Sequence, residues 1–178
     1  MKKLLALTML SALLLTSCMP QGEDLQGRFG KPTKAWEMTL SPSSPSGSYA
    51  VSASDSVLYF DMTLPTDNGL TLGSIFIVSF ATDLDLDPLA DGTTVSLKDG
   101  ATTIGTGTFA LVDPSNPSEG TAVITTTKAV SLTAGTAKTF TITTNTSEIL
   151  TEDAGDDDPL TVRVEHNGKS VTGNALIY

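Results

Sequence analysis

The chain has 178 residues, of which 20 are acidic and 10 basic, and its formal net charge is −10. So negative a surface disfavours nucleic acid and anionic lipid head groups as partners, because both repel it. With one Cys and one His in the sequence, an intrachain disulfide, a multi-Cys zinc site and a two-His metal site are excluded. The abundance of Thr, Ser, Val, Gly and Asp is typical of a β-protein.

The chain begins with the pattern of a secretory signal peptide. Lys2 and Lys3 precede an apolar run over 4–14, which is followed by small residues and Cys18. The run is too short for a transmembrane helix, which needs roughly 20 apolar residues. An ordinary signal peptide cut at another position remains the alternative interpretation.

Leu15-Thr16-Ser17-Cys18 resembles the lipobox of bacterial lipoproteins. The resemblance implies that residues 1–17 are a signal peptide and that Cys18 carries a diacylglycerol and an acyl chain such as palmitate. Two or more acyl chains hold a protein firmly on a membrane, because each buried methylene contributes about 0.8 kcal/mol. Met19, rather than Asp, follows the Cys, which by the same resemblance favours the outer membrane in a cell that has one.

Residues 18–33 are predicted to be a flexible tether, because this stretch has Gly22, Gly27, Gly30 and Pro32 and no apolar periodicity. The folded domain is then expected over 34–178. Its first strand is predicted over 34–40, with Trp36, Met38 and Leu40 on one face.

The next predicted strands are a short edge strand over 49–53 and a stronger one over 56–64. The run Ile75-Phe76-Ile77-Val78, at the centre of 70–80, predicts a strand that is buried on both sides or lies in the middle of a sandwich.

Two hairpins and two further strands complete the pattern. Strands are predicted on both sides of Asp99-Gly100 and of Asn167-Gly168, both typical hairpin turns. Others are expected over 121–127 and 138–144. About nine strands and no helix of useful length predict an all-β fold, a single antiparallel Ig-like β-sandwich.

Two segments of this pattern, 95–106 and 132–142, resemble the Ig-like β-sandwich modules of bacterial cell-surface and S-layer-type proteins. The shared features are a strand–Asp-Gly–strand hairpin and an Ala-Gly-Thr-x-Lys-Thr-Phe-Thr strand start. The resemblance implies a structural or adhesive role and brings no catalytic residues with it.

Two acidic clusters are candidate Ca²⁺ ligands. In an extended chain, Asp83, Asp85 and Asp87 point to one face, and a second acidic loop contains Asp156, Asp157 and Asp158. Calcium takes about 6–8 oxygens, so the two clusters would have to converge. The sequence does not fit the EF-hand pattern. A solvated strand end and a solvated loop are the alternative interpretation.

Neither an enzyme nor a sugar-binding site is predicted by a specific motif. His166 falls in a predicted turn, and no Gly-x-Ser-x-Gly elbow is present. The aromatic candidates for a sugar platform are Trp36, Tyr49 and Tyr59, and Trp36 is expected in the core.

The first hypothesis is therefore a non-enzymatic envelope lipoprotein with a structural, adhesive or protein-interaction role. It would be bound to the membrane through Cys18 and partnered by other envelope proteins or glycans. The alternative is a surface module that binds a glycan or Ca²⁺, and no other cofactor is expected.

Overall fold

The structure is a computed structural model that describes residues 36–178, except Tyr49, 65–68, 83–85, 88, 116 and 151–158. The predicted signal peptide, Cys18 and the tether all lie outside the described residues, so they stay predictions.

The described part contains thirteen strands and one short helix. Nine of the strands have four or more residues: β1 (Glu37–Leu40), β3 (Asp55–Thr63), β5 (Ile75–Thr82), β6 (Thr94–Asp99), β7 (Thr102–Leu111), β8 (Glu119–Thr126), β10 (Lys138–Thr144), β11 (Pro159–His166) and β12 (Lys169–Thr172). The two-residue strands are β2 (Gly47–Ser48), β4 (Gly69–Leu70), β9 (Val130–Ser131) and β13 (Leu176–Ile177), and the helix is α1 (Thr146–Ile149).

Hydrogen bonding joins eleven strands in the order β1-β3-β10-β6-β7-β8-β5-β11-β13-β2, with β12 also on β11. All of these pairs are antiparallel except β13 with β2. The order β1-β3-β10-β6 corresponds to the ABED layer of an immunoglobulin domain, and β5-β11-β12 corresponds to its CFG layer. The strand β7 pairs with both β6 and β8 and so connects the two layers. The predicted all-β, Ig-like sandwich is confirmed.

Aromatic rings join the two layers in the core. The ring of Phe60 on β3 lies 6.2 Å from that of Phe76 on β5, and it stacks at 5.8 Å on Phe140 of β10. All three side chains are fully buried. The alternation of β3 follows the predicted period, because Leu58, Phe60 and Met62 are buried while the residues between them are half-buried.

The two predicted hairpin turns are present. Asn167 and Gly168 have φ values of 46° and 74°, and two positive φ values are what a two-residue type I′ turn requires. The other turn has Gly100 and Ala101 as its central residues, with φ 57° at Gly100. Glycine in that first central position is typical of a type II′ turn, whose twist matches that of the strands.

Two details differ from the prediction. The expected edge strand over 49–53 is absent in the described residues of that stretch, and the short strand β2 lies just before it, parallel to β13. The strand β5 lies in the middle of its layer but is buried on one face only, with Ile75 and Ile77 exposed by 53% and 42%. A continuous apolar run does not show which faces of a strand are covered, because that depends on the neighbouring layer.

Gly120 gives a stability prediction. A Cβ at this position would lie 2.2 Å from Cε2 of Phe109, and that ring is buried and edge-on to Phe80 at 5.4 Å. The clash outweighs the intrinsic gain of about 0.5–1 kcal/mol from replacing a strand glycine. We expect Gly120→Ala to lower the free energy of unfolding by about 1–3 kcal/mol, measured by urea denaturation. Glu119→Ala, an exposed neighbour, is the control, and equal midpoints for Gly120→Ala and wild type would contradict the prediction.

Candidate functional site

The predicted calcium ligands fall mainly outside the described residues. This holds for Asp83, Asp85, Asp156, Asp157 and Asp158. Asp87 is described, and its Oδ1 accepts the backbone N–H of Leu89 at 2.7 Å. The N–H of Asp87 donates to the carbonyl of Ile149 at 2.8 Å. These bonds place the Asp87 carboxylate beside α1, and its convergence with the other predicted ligands stays a prediction.

The top end of the sandwich is the end that holds Asp87, α1 and the start of β8. Here Asp87, Asp91 and Glu148 line an open cleft of about 470 Å³. Asp91 Oδ1 accepts the N–H of Leu111 at 3.0 Å, and Glu148 Oε2 accepts the hydroxyl of Thr93 at 3.1 Å. In each carboxylate, one oxygen accepts a hydrogen bond that orients the group, and the second oxygen takes no part in these three bonds.

Among the described residues, no group of three or more Cys, His, Asp or Glu side chains is placed to hold a metal ion. Each of the three carboxylates of the top cleft accepts one hydrogen bond from the protein. The arrangement suits a ligand that has several donors or positive charges spread along its length.

A second depression adjoins the top cleft and shares Thr94 and Glu148 with it. We call it the hydroxyl groove. It has a volume of about 390 Å³ and lies on the outward face of β6 and β10. Its wall is mainly hydroxyl and amide, from Ser96, Thr103, Thr143 and Asn145, with Lys98 as its basic residue. No sequence motif predicted this site, although the alternation of Thr94, Ser96 and Lys98 on β6 is typical of a polar outward face.

A hydrogen-bonded cluster fastens the loop before β3 to α1. The Asp55 carboxylate accepts the hydroxyl of Thr146 and the hydroxyl of Ser52, the latter at 2.6 Å. Thr146 Oγ1 also accepts the N–H of Ser52 at 3.0 Å, and Thr146 is fully buried. This cluster joins the loop before β3 to α1 at the top end.

The single His is a structural residue. His166 is 7% exposed and stacks on Phe76 with the ring centroids 4.2 Å apart. Its Nδ1 donates to the carbonyl of Ile75 at 2.6 Å, and its Nε2 accepts the Asn167 side-chain amide at 3.1 Å. Both ring nitrogens are therefore engaged, and the imidazole is held in the core by its neighbours. The Trp36 ring lies edge-on to the His166 ring, with the centroids 5.7 Å apart, and it is half-buried. The prediction that Trp36 lies in the core is therefore confirmed in part.

The two ends of the sandwich carry different charge. The bottom end holds the start of β1 and the turns at Gly100 and Gly168, as the strand registers place them together. Acidic side chains of the described top end are Asp55, Asp87, Asp91, Asp113, Glu119 and Glu148. The described basic residues lie at the bottom end or in mid-strand: Lys98, Lys128, Lys138, Arg163 and Lys169. Among the described residues, the top end, which lies opposite the start of β1, is therefore the more negative end of the sandwich.

One acid at this end is held ionised by its own loop. Asp113 Oδ1 accepts the hydroxyl of Ser115 at 2.7 Å and its N–H at 2.9 Å. These hydrogen bonds lower the pKa of Asp113 below its ordinary value. Asp113 therefore stays ionised at pH values near the ordinary pKa of an aspartic acid, where an unperturbed carboxylate begins to be protonated.

The outer face of β5 and β8 is apolar at its centre. Ile75, Ile77 and Val123 are exposed, and Ile77 lies directly opposite Val123 across the two strands. Beside them, Arg163 and Glu165 form an exposed ion pair at 3.0 Å. The apolar run over 75–78 left open whether one or both faces of this strand are covered, so it did not predict this exposed face.

The sugar-platform candidates do not meet at either depression. Tyr49 lies outside the described residues, and Tyr59 is half-buried on β3. The described residues that line the top cleft and the hydroxyl groove include no aromatic side chain.

Comparisons with known proteins give structural likenesses alone. No family model matches the chain, and no curated protein is significantly similar to it. A DUF4466 family protein from Parabacteroides merdae is similar over 79% of this chain, at 17% identity and a TM-score of 0.35, and the chain spans 43% of that protein's length. The collagen-binding subdomain of the Enterococcus faecalis surface protein ACE is similar over 84% of this chain and 99% of its own, at 8% identity and a TM-score of 0.28.

Within the described residues, no helix has the length and apolar character needed to cross a membrane.

Proposed function

We propose that this protein is a non-enzymatic lipoprotein of the cell envelope whose β-sandwich serves as a structural or protein-interaction module. The observation that carries the proposal is the single Cys of the chain, which stands directly after an apolar leader in Leu15-Thr16-Ser17-Cys18. Lipid on Cys18 would anchor the protein, with the outer membrane favoured in a cell that has one.

The charge distribution supports this arrangement. A tether that leaves the domain at β1 would attach at the bottom end, where basic residues are accompanied by Glu37, Asp99 and Glu165 and the described charges are nearly balanced. The acidic top end, with its cleft, would then be the part presented away from anionic lipid, which repels it. A partner would meet the top end first.

The state of His166 supports a role without catalysis. A general base needs a nitrogen that can reach a substrate, whereas both ring nitrogens of His166 are engaged inside the core. If the purified protein hydrolysed esters, peptides or glycans with ordinary turnover, this part of the proposal would be abandoned.

The test of the anchor is Cys18→Ser in the full chain. We expect the variant to lose palmitate labelling and to move from the membrane fraction to the soluble fraction. The reason is that serine lacks the thiol to which the lipid is attached. Ser17→Ala, which keeps a small residue before the Cys, is the control and should stay in the membrane fraction. Retention of Cys18→Ser in membranes after a high-salt wash would contradict the proposal.

A second candidate function is ligand binding, favoured by the three oriented carboxylates of the top cleft. The ligand would be a glycan whose hydroxyls donate to them, or Ca²⁺ bound with help from Asp83, Asp85 and Asp156 to Asp158. Calorimetric titration of the full chain with Ca²⁺ and with a glycan panel tests this function. The absence of both heat and a change in melting temperature would reject it.

A further inference from the structure

The hydroxyl groove contains one buried polar side chain that the protein leaves without a partner. Thr143 is 5% exposed and lines the groove, and among the described residues its hydroxyl has no hydrogen-bond partner, although the oxygen is still reached by solvent. Two nearby residues of the same type behave differently, since Thr144 donates to the carbonyl of Thr94 and Thr146 donates to Asp55. A polar group of a ligand in the groove can therefore form a hydrogen bond with the Thr143 hydroxyl in place of water.

The dimensions of the groove fit an extended chain. Thr94, Ser96 and Lys98 are alternate residues of β6 on the outward face, with the buried Val95 and Leu97 between them. Alternate residues of a strand are spaced by about 6.8 Å, so the three side chains span roughly 13–14 Å. The same repeat is found in an extended peptide, whose successive backbone donors and acceptors on one side would meet successive hydroxyls.

The charges of the groove define a direction. Glu148 lies where the groove meets the top cleft, and Asp87 and Asp91 lie beyond it in that cleft. Lys98 is toward the bottom end, and it takes part in neither of the ion pairs of the described residues, Lys138 with Asp99 and Arg163 with Glu165. A ligand with a cationic group near Glu148 and a carbonyl or carboxylate near Lys98 would match this direction.

We infer that the hydroxyl groove binds an extended segment of a partner protein that carries Lys or Arg, with its basic side chain on Glu148 and its backbone hydrogen-bonded to Thr143 and Ser96. A peptide is favoured over a glycan because the described lining offers no aromatic ring for a sugar to stack on. The net charge of −10 attracts a basic partner. This inference rests on the proposed protein-interaction role and supplies the partner's chemistry.

The test uses the full chain in detergent and a fluorescein-labelled, N-acetylated and C-amidated hexapeptide in which Thr and Arg alternate. Binding is followed by fluorescence anisotropy at low salt. Removing the charge in Glu148→Gln is expected to weaken binding about fivefold, and Thr143→Val about threefold. The controls are Glu119→Gln, an acid of the same end outside the groove, and Thr125→Val, an exposed threonine of the other layer. Both should change the dissociation constant less than about twofold.

Thr143→Val has a second readout that separates binding from folding. Since the hydroxyl has no partner in the described structure, its replacement by an isosteric methyl is expected to leave the melting temperature unchanged or to raise it.

Three outcomes would overturn the inference. They are no binding of the basic peptide, equal losses in Glu148→Gln and Glu119→Gln, or tighter binding of chitotetraose than of the peptide. None of these outcomes alters the Cys18→Ser result, so a failure here and a failure of the lipoprotein assignment are distinguishable.

Discussion

Replacing Phe76 with Ala is expected to lower the free energy of unfolding by about 3–5 kcal/mol, the largest single-residue effect that we predict. The Phe76 ring is fully buried and contacts both layers, with Phe60 at 6.2 Å on one side and His166 at 4.2 Å on the other. Its removal would leave a cavity between the layers and take the stacking partner from the buried imidazole. Because domains of this kind are stable by only about 5–15 kcal/mol, the loss should be plain in urea denaturation.

The matched control is Ile75→Ala on the same strand. Its side chain is 53% exposed, so the substitution should cost no more than about 1 kcal/mol, chiefly through β-propensity. If both variants lost the same stability, the assignment of Phe76 to the interface between the layers would be wrong.

Thr146→Val is expected to lower the free energy of unfolding by about 1–3 kcal/mol. The exchange keeps the shape of the side chain and removes a fully buried hydroxyl that donates to Asp55 and accepts from the N–H of Ser52. The loop before β3 would lose its attachment to α1. Hydrogen exchange should therefore increase first at Ser52 and its neighbours, with the core strands still protected.

Thr139→Val provides the control for this effect. The Thr139 hydroxyl also donates to a carboxylate, Asp61, at 2.6 Å, but this bond is open to solvent, with Thr139 exposed and Asp61 half-buried. Water replaces an exposed bond, so the change in stability should be within about 0.5 kcal/mol. Equal losses in the two threonine variants would show that burial does not set the strength of the Asp55 cluster.

The local signals in the sequence predicted the strands well. Asn167-Gly168 and Gly100 adopt positive φ values in hairpin turns, because turn geometry depends on the residues of the turn itself. The alternation of β3 predicted its buried face, and the strand predicted over 138–144 is present as β10. The two-residue strands β2 and β9 were not predicted, because pairings as short as β4 with β9 leave no periodicity in the sequence.

The site was harder to predict, because it is assembled from segments far apart in the chain. Glu148 meets Thr93 across 55 residues, and the hydroxyl groove brings β6 beside β10. The acidic cluster of Asp83, Asp85 and Asp87 was the feature that the sequence offered, and of these the structure describes Asp87 alone. Thr143 resembles every other threonine in sequence, and its unpaired hydroxyl depends entirely on what packs around it.

The sequence by itself determined the all-β class and the hairpin turns, and with one Cys and one His it excluded an intrachain disulfide and a multi-Cys or two-His metal site. These conclusions follow from composition and local backbone preference. It also supplied the lipobox pattern at Cys18, on which the proposed anchor rests. The tertiary structure decided which face of β5 is covered, that His166 lies in the core, and that a polar groove continues into an acidic cleft. These features depend on contacts between the two layers and between remote loops, which no periodicity along a single strand specifies.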